Sequence, residues 1–261
     1  MIDTHVHFQG GLSPEAMAGL LARALAVGVD RLIAVGCEPD ANAAALRAAA
    51  QFPDRVKAAL AYDRSLAGSG VRVETIRELI LSAPAGHVAA IGELGLDFHY
   101  TPETAEAQQT LMAAQLTLAR ELRLPVIVHS READRETVEL LSTHARQWSG
   151  APDRIGVLHC FTGTEFLARQ LLDLGFMISF SGIVTFRNAD PLREVARGIP
   201  VDRLLIETDT PYLTPVPYRG KPNEPCYLPA VAAVLAKVRG LPVAELAATT
   251  SANARRLFAW E

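Results

Sequence analysis

Eight apolar, β-rich runs recur along the 261-residue chain, each followed by a longer stretch with helical spacing. They fall at roughly 2–8, 30–36, 55–61, 88–93, 125–129, 154–160, 176–181 and 202–209. Arg31 to Val35 and Pro125 to Val128 are nearly all apolar, as strands buried on both faces of a parallel sheet must be. Ser13-Pro14-Glu15 and Thr101-Pro102-Glu103 each place a hydroxyl N-cap before a proline at the first helical position. In 103–123, Leu111, Leu118 and Leu122 fall on one side of a helix. This alternation is that of an α/β fold. No glycine-rich phosphate loop follows the first run, which speaks against a doubly wound open sheet. The length suits a TIM-like (β/α)8 barrel, which needs about 250 residues. The expectation is one such barrel domain over residues 1–261. Its one long irregular segment, 210–225, is proline-rich and follows the last strand, where barrel loops carry function.

No apolar run approaches the ~20 residues of a membrane span, and the start M-I-D-T-H has neither a basic patch nor a cleavable apolar stretch. The expectation is therefore a cytoplasmic protein with no membrane partner. Cys37, Cys160 and Cys226 are far apart, odd in number and outside any C-x-x-C pair. They fit reduced thiols better than a disulfide framework or a thiolate zinc site. A net charge of −4 argues against non-specific coating of nucleic acid but permits a local grip on phosphate.

The rare polar residues on these runs carry the chemistry. His5 and His7 are two apart on the first strand and point to one face, which Asp3 shares. Glu93 ends the fourth run in G-E-L-G-L-D, and His129 the fifth in V-I-V-H-S-R. His159 ends the sixth in V-L-H-C-F, and Asp209 the eighth in L-L-I-E-T-D. In a barrel these strand ends converge on one mouth. Four imidazoles and two carboxylates suit divalent Zn, Mn, Co or Mg. Six ligands exceed what one open catalytic site needs, whereas two ions sharing a carboxylate would use them all. Glu93 is the natural bridge. His5, His7 and Asp209 would complete one shell, and His129 and His159 the other. Each residue alone admits an ordinary structural role. Their coincidence across five strands is what such roles do not supply.

Glu207 lies two residues before Asp209, one layer deeper, and reads as support for a ligand or as an ordinary ion pair. Asp97 and His99 would touch substrate or cap the next helix. His87 and His144 read as solvated, and Cys160, alternating away from His159, as a packed small residue. Arg131, Arg187, Arg219 and Lys221 sit in barrel-top loops, where four basic groups around one mouth would bind phosphate.

The segments D-T-H-V-H, G-E-L-G-L-D, P-V-I-V-H-S-R, H-C-F-T-G, E-T-D-T-P-Y-L and R-G-K-P-N-E-P closely resemble, in order and spacing, those of the TatD family of metal-dependent deoxyribonucleases. The resemblance runs from residue 3 to about 225, with a helical tail that also looks like the family. It implies a TIM-like barrel, a two-metal site and hydrolysis of DNA ends, often as a 3′-to-5′ exonuclease. Carried over, His5, His7, Glu93 and Asp209 match one metal site, and Glu93, His129 and His159 the other. Two departures stand out. Phe8-Gln9 follow the first motif where the family usually has Leu-Asp, and Pro222 stands where a basic residue is common.

The functional expectation is a two-metal deoxyribonuclease acting on single-stranded or frayed DNA ends. Mg or Mn would support activity, with Zn also admitted by the ligands. Asp209 would orient or deprotonate the attacking water, because a monodentate ligand keeps one oxygen free, and Glu93 would serve as the shared catalytic ligand. One alternative is hydrolysis of an amide, lactone or aminoacyl ester on the same barrel. Many barrel amidohydrolases bridge their metals with a modified strand-four lysine, which is absent here. The other is a non-catalytic DNA-end-binding protein, against which the complete ligand set argues.

Overall fold

In the computed structural model, which describes residues 1–8 and 12–260, the apolar runs become eight parallel strands in one sheet, ordered β1 to β8. These are β1 (Ile2–Val6), β2 (Arg31–Val35), β3 (Val56–Leu60), β4 (Val88–Asp97), β5 (Val126–Arg131), β6 (Gly156–Leu158), β7 (Met177–Phe180) and β8 (Leu204–Ile206). The seam between β8 and β1 closes just beyond β8. The Asp209 N–H donates to His5 O at 3.1 Å, and the His7 N–H donates to Thr210 O at 2.8 Å. The result is a (β/α)8 barrel.

Seven helices, α1 to α7, alternate with the strands: Pro14–Ala26, Pro39–Gln51, Val73–Ser82, Ala105–Leu122, Asp134–Arg146, Glu165–Asp173 and Asp190–Gly198. Helix α8 (Leu228–Arg239) follows the 210–225 loop, and α9 (Val243–Leu257) ends the chain. Ser13 caps α1 as expected, accepting from Ala16 N at 3.2 Å. Thr101 caps nothing with its side chain. A 3-10 turn intervenes at Pro102–Thr104, and Gln108 Nε2 donates to Thr101 O and Oγ1 at 2.9 and 3.0 Å. Among the described residues no helix is long and apolar enough to cross a membrane.

Apolar residues inside the lower barrel, including Ile2, Ile33, Ala59, Ile127 and Leu205, pack with Ala254, Leu257, Phe258 and Trp260 at the chain's end. Helix α9 thus stoppers the N-terminal end of the barrel. Asn253 fixes it there, donating to Val201 O at 2.8 Å and Leu204 O at 2.9 Å. The opposite end is left for polar chemistry.

β6 and β8 are only three residues long, shorter than their apolar runs, while β4 extends to Asp97. Pairing continues a little beyond β6 and β8, with His159 N donating to Val128 O at 2.9 Å and Glu207 N to Phe180 O at 3.1 Å, before the backbone turns left-handed at Cys160 (φ 44°) and Asp209 (φ 62°). Asp tolerates that region better than most residues, because its short polar side chain bonds locally.

His144 corrects an expectation. It lies wholly buried in α5 against Trp148 and Phe176, not in solvent. The helical face that carries Leu141 inward carries residue 144 with it. Burial, reinforced by the Arg120 guanidinium, pushes its pKa down from 6.5 to about 4. Below pH 6.5 the unfolded chain therefore takes up a proton that the folded chain refuses, so stability falls between pH 6.5 and about 4. We expect a loss of about 2 kcal/mol by pH 5 from this residue alone. Urea unfolding of wild type and His144→Gln at pH 7.5 and 5 checks it. The acid-induced loss should be smaller in the variant by that amount, and an equal loss in both would refute the assignment.

Candidate metal centre

At the C-terminal end of the strands lies a cavity of about 870 Å³, whose lining includes His7, Glu93, His129, His159 and Asp209. His5, fully buried, sits in the cluster beneath. The side chains converge tightly. His5 Nε2 and His7 Nε2 are 3.0 Å apart, and the His5 and His159 rings stack at 3.9 Å between centroids.

Glu93 stands in the middle, and its two oxygens face different partners. Oε2 lies 3.4 Å from His5 Nε2 and 3.6 Å from His7 Nε2. Oε1 lies 3.4 Å from His129 Nδ1 and 3.3 Å from His159 Nε2. Asp209 Oδ1 is 3.6 Å from His7 Nε2 and 3.9 Å from His5 Nε2. Three triads bring their donor atoms within 4.8 Å of one another: His5/His7/Glu93, Glu93/His129/His159 and His5/His159/Asp209.

The far sides of three of the four rings face a polar partner. His7 Nδ1 donates to Val35 O at 3.2 Å, which turns Nε2 toward the cluster. His159 Nδ1 faces Glu207 Oε1 at 3.3 Å, and His129 Nε2 faces Asp97 Oδ2 at 3.4 Å. Glu207, fully buried, also accepts from Cys160 N and Ser179 Oγ, both at 2.6 Å. It thus lies against the far side of the His159 imidazole. Asp97 Oδ1 accepts from His99 N and Tyr100 N, so this one carboxylate both caps the turn and faces a candidate ligand. Only glycine fits at Gly95, where a Cβ would lie 2.0 Å from His129 O. That close passage sets β4 against the His129 backbone.

The charges are strongly coupled. Burial alone would raise the Glu93 carboxyl, but His159, His5 and Arg64 outweigh it and hold the group well below the usual range. Asp209 is likewise lowered against burial, chiefly through His7. Burial opposes protonation of His7 and His159, yet Asp209 raises the one well above normal and Glu93 raises the other to about 10. His5 and His129 are pushed down, mainly by burial.

The fit to divalent cations rests on what hydrogen bonds leave unmet. Inside the cluster, His159 Nε2 is buried without a hydrogen-bond partner, facing Glu93 Oε1 at 3.3 Å. A buried polar atom left unpaired costs about 1–3 kcal/mol. Imidazole nitrogens and carboxylate oxygens converging on one point form a donor set that cations satisfy and hydrogen bonds do not.

Arg131 lines the cavity, whereas Arg187, Arg219 and Lys221 lie exposed outside the lining. Arg219 is engaged within its own loop, with Nη1 donating to Thr214 O at 2.8 Å and the guanidinium 4.3 Å from the Phe186 ring centroid. Arg64, unanticipated from sequence, enters the wall beside Glu93, its Nη1 donating to Oε1 at 2.8 Å. The only signal for it was a basic residue directly after β3 in A-Y-D-R-S. Cys160 is not packed away. Its left-handed backbone turns Sγ to 3.2 Å from Ser181 Oγ on the cavity wall. Asp3 does not line the cavity but accepts from Thr208 N at 2.9 Å and Thr208 Oγ1 at 2.6 Å. Phe8 is buried in the lining, Gln9 lies outside the described residues, and Pro222 is exposed.

Comparison with known proteins decides the family: the "TatD related DNase" family model matches residues 2–259. The chain belongs to that family. It is a metal-dependent hydrolase. YcfH of Escherichia coli, described as an uncharacterized metal-dependent hydrolase, is 51% identical over 186 residues, 71% of this chain and 67% of YcfH. A Citrobacter rodentium protein named 3'-5' ssDNA/RNA exonuclease TatD is 38% identical over 263 residues, 99% of this chain and 97% of that protein. The crystal structure of YJJV, a TatD homologue from E. coli, superposes with a TM-score of 0.88 at 33% identity, over 99% of this chain and 98% of that one.

Within this TatD-family hydrolase, Glu207→Gln should fold but hold metal less well, because the neutral amide orients the His159 ring less firmly. Such supporting carboxylates are typically worth about 10- to 100-fold in metal affinity. Zinc titration of the metal-stripped variant by calorimetry reads the change. Wild-type affinity would mean that Glu207 only knits β6 to β8.

Proposed function

We propose that this hydrolase cleaves phosphodiester bonds at single-stranded or frayed DNA ends with two divalent ions, as a 3′-to-5′ exonuclease. The observation that carries this reading is one cavity with Glu93 dividing its oxygens between two imidazole pairs and with Arg64 and Arg131 in its walls. Guanidinium groups match an anionic phosphate, not a neutral carbonyl. The C. rodentium exonuclease, alike over nearly its full length, supports the same substrate class. A lysine-bridged amidohydrolase has no counterpart here. Of the three lysines Lys57 alone lies on a strand, and its Nζ donates to Ala259 O at the barrel's closed end.

His5, His7, Glu93 and Asp209 would hold one ion, and Glu93, His129 and His159 the other. Such ions supply Lewis acidity that makes water more acidic and polarises a phosphoryl oxygen. Mg or Mn is the proposed activating metal, and the imidazole-rich donors also suit Zn. The chain's own residues do the rest. Arg131 and Arg64 orient the phosphodiester, with Arg187, Arg219 and Lys221 as contacts further along the strand. Asp209 keeps a carboxylate oxygen for the attacking water and takes its proton. The water oxygen bonds to phosphorus as the P–O bond to the departing hydroxyl breaks, and that oxygen takes a proton from solvent. Glu207 and Asp97 keep His159 and His129 aimed while charge moves.

Purified protein incubated with Mg, Mn or Zn and an end-labelled single-stranded oligonucleotide tests the reading. Stepwise loss of 3′ nucleotides is expected. Release from an aminoacyl ester or lactone without attack on the oligonucleotide would overturn it. Asp209→Asn should keep at least one metal while turnover falls about 10²- to 10⁴-fold. Near-normal turnover would rule Asp209 out as proton acceptor. Glu93→Gln should lower both metals together, because it removes a shared anionic ligand from each. Elemental analysis finding two full equivalents in the variant would sink the bridge.

A further inference from the structure

Two large aromatic rings stand in water at the rim of the cavity. Tyr212 is 56% exposed, lines the cavity, and places its ring 5.9 Å from that of His7. Its backbone is pinned on both sides. Its N–H donates to Asp209 O at 2.8 Å, and its carbonyl accepts from buried Asn223 Nδ2 at 2.5 Å. The next residue is held as well, because Gly182 lets the Leu213 carbonyl pass where a Cβ would lie 2.0 Å away. A stiff mount carrying an exposed ring is an arrangement that core packing does not explain.

Tyr100, 68% exposed, occupies the turn after β4. Its N–H donates to Asp97 Oδ1 at 2.9 Å, and the Arg131 guanidinium lies 4.6 Å from its ring centroid. Arg131 itself lines the cavity. In an eight-stranded ring, β4 and β8 are four places apart and therefore opposite. The mouth thus carries an aromatic ring on each of two opposing rims, with the Glu93 cluster between.

We propose that Tyr212 and Tyr100 are stacking platforms for the two nucleobases that flank the scissile phosphate of a single strand. This rests on the nuclease reading and deepens it. Aromatic rings bind bases without regard to sequence, because every base has a π-face, and Arg131 joins one platform to a phosphate contact. Paired bases in a duplex have both faces covered, so the platforms select unstacked ends.

The test measures KM on two oligonucleotides, one normal and one with tetrahydrofuran abasic residues on both sides of the terminal phosphodiester. Tyr212→Ala and Tyr100→Ala are each expected to raise KM on the normal strand roughly 5- to 100-fold, the usual worth of one base–aromatic stack. Tyr212→Phe keeps the ring and should stay within about twofold of wild type. On the abasic strand wild type should already show a raised KM, which the alanine variants leave in place. Stacking is not an ion contact, so the variant-to-wild-type ratio should persist as salt rises. Metal content equal to wild type confirms that the variants are folded. Equal wild-type KM on both strands, or an equal rise on both in the alanine variants, would overturn the platforms alone. A wild type that cleaves neither strand with Mg, Mn or Zn would overturn the nuclease reading, and the platforms with it.

Discussion

The upper half of this barrel is organised around one buried carboxylate. Glu93 is 5% exposed, and a carboxylate taken so far from water is costly unless positive or hydrogen-bond-donating groups surround it. Four imidazoles and the Arg64 guanidinium do so. The same crowding leaves His159 Nε2 facing inward without a hydrogen-bond partner. Such a donor set is incomplete as an all-protein network and suits a cation.

That arrangement is tolerated because the other end of the barrel is apolar. The side chains of α9 and the terminal Phe258 and Trp260 fill the strand starts, so cohesion and chemistry are separated along the same strands. Carboxylates are placed by a second layer that holds both ends together. Glu207 joins β6, β7 and the residues after β8 through Cys160, His159 and Ser179. Asp3 ties β1 to Thr208 across the seam.

Much of this was legible in the sequence, for a definite reason. Parallel strands buried on both faces write themselves as apolar runs, and His, Glu and Asp at the ends of five such runs together are what ordinary structural roles do not supply. Hence the barrel and the convergence of His5, His7, Glu93, His129, His159 and Asp209 at one end could be read directly. Features that depend on leaving regular structure were not legible. Alternation assigned Cys160 to the interior, but the backbone turns left-handed there and opens it to the cavity. His144 looked like a polar helix residue, and only the packing of α5 on Trp148 and Phe176 encloses it. Arg64 was missed because a loop arginine carries no pattern of its own. Its meaning comes from a carboxylate 29 positions away in sequence and 2.8 Å away in space.

The same distinction between local and summed properties resolves an apparent conflict between an acidic chain and the polyanionic substrate proposed for it. A net charge of −4 spread over the surface is screened within about 10 Å at 0.1 M salt. It sets little of the potential inside a recess whose walls carry Arg64 and Arg131. On the two-ion reading, four positive charges enter against the carboxylates of Glu93 and Asp209, and the floor of the recess turns positive. Affinity then depends on the recess, and steering from afar contributes little. A strand held by a few phosphate contacts needs some other source of grip, and exposed aromatic rings provide one that salt does not weaken. On the proposed reading, Tyr212 and Tyr100, whose N–H groups donate to Asp209 O and Asp97 Oδ1, would meet that need without adding charge.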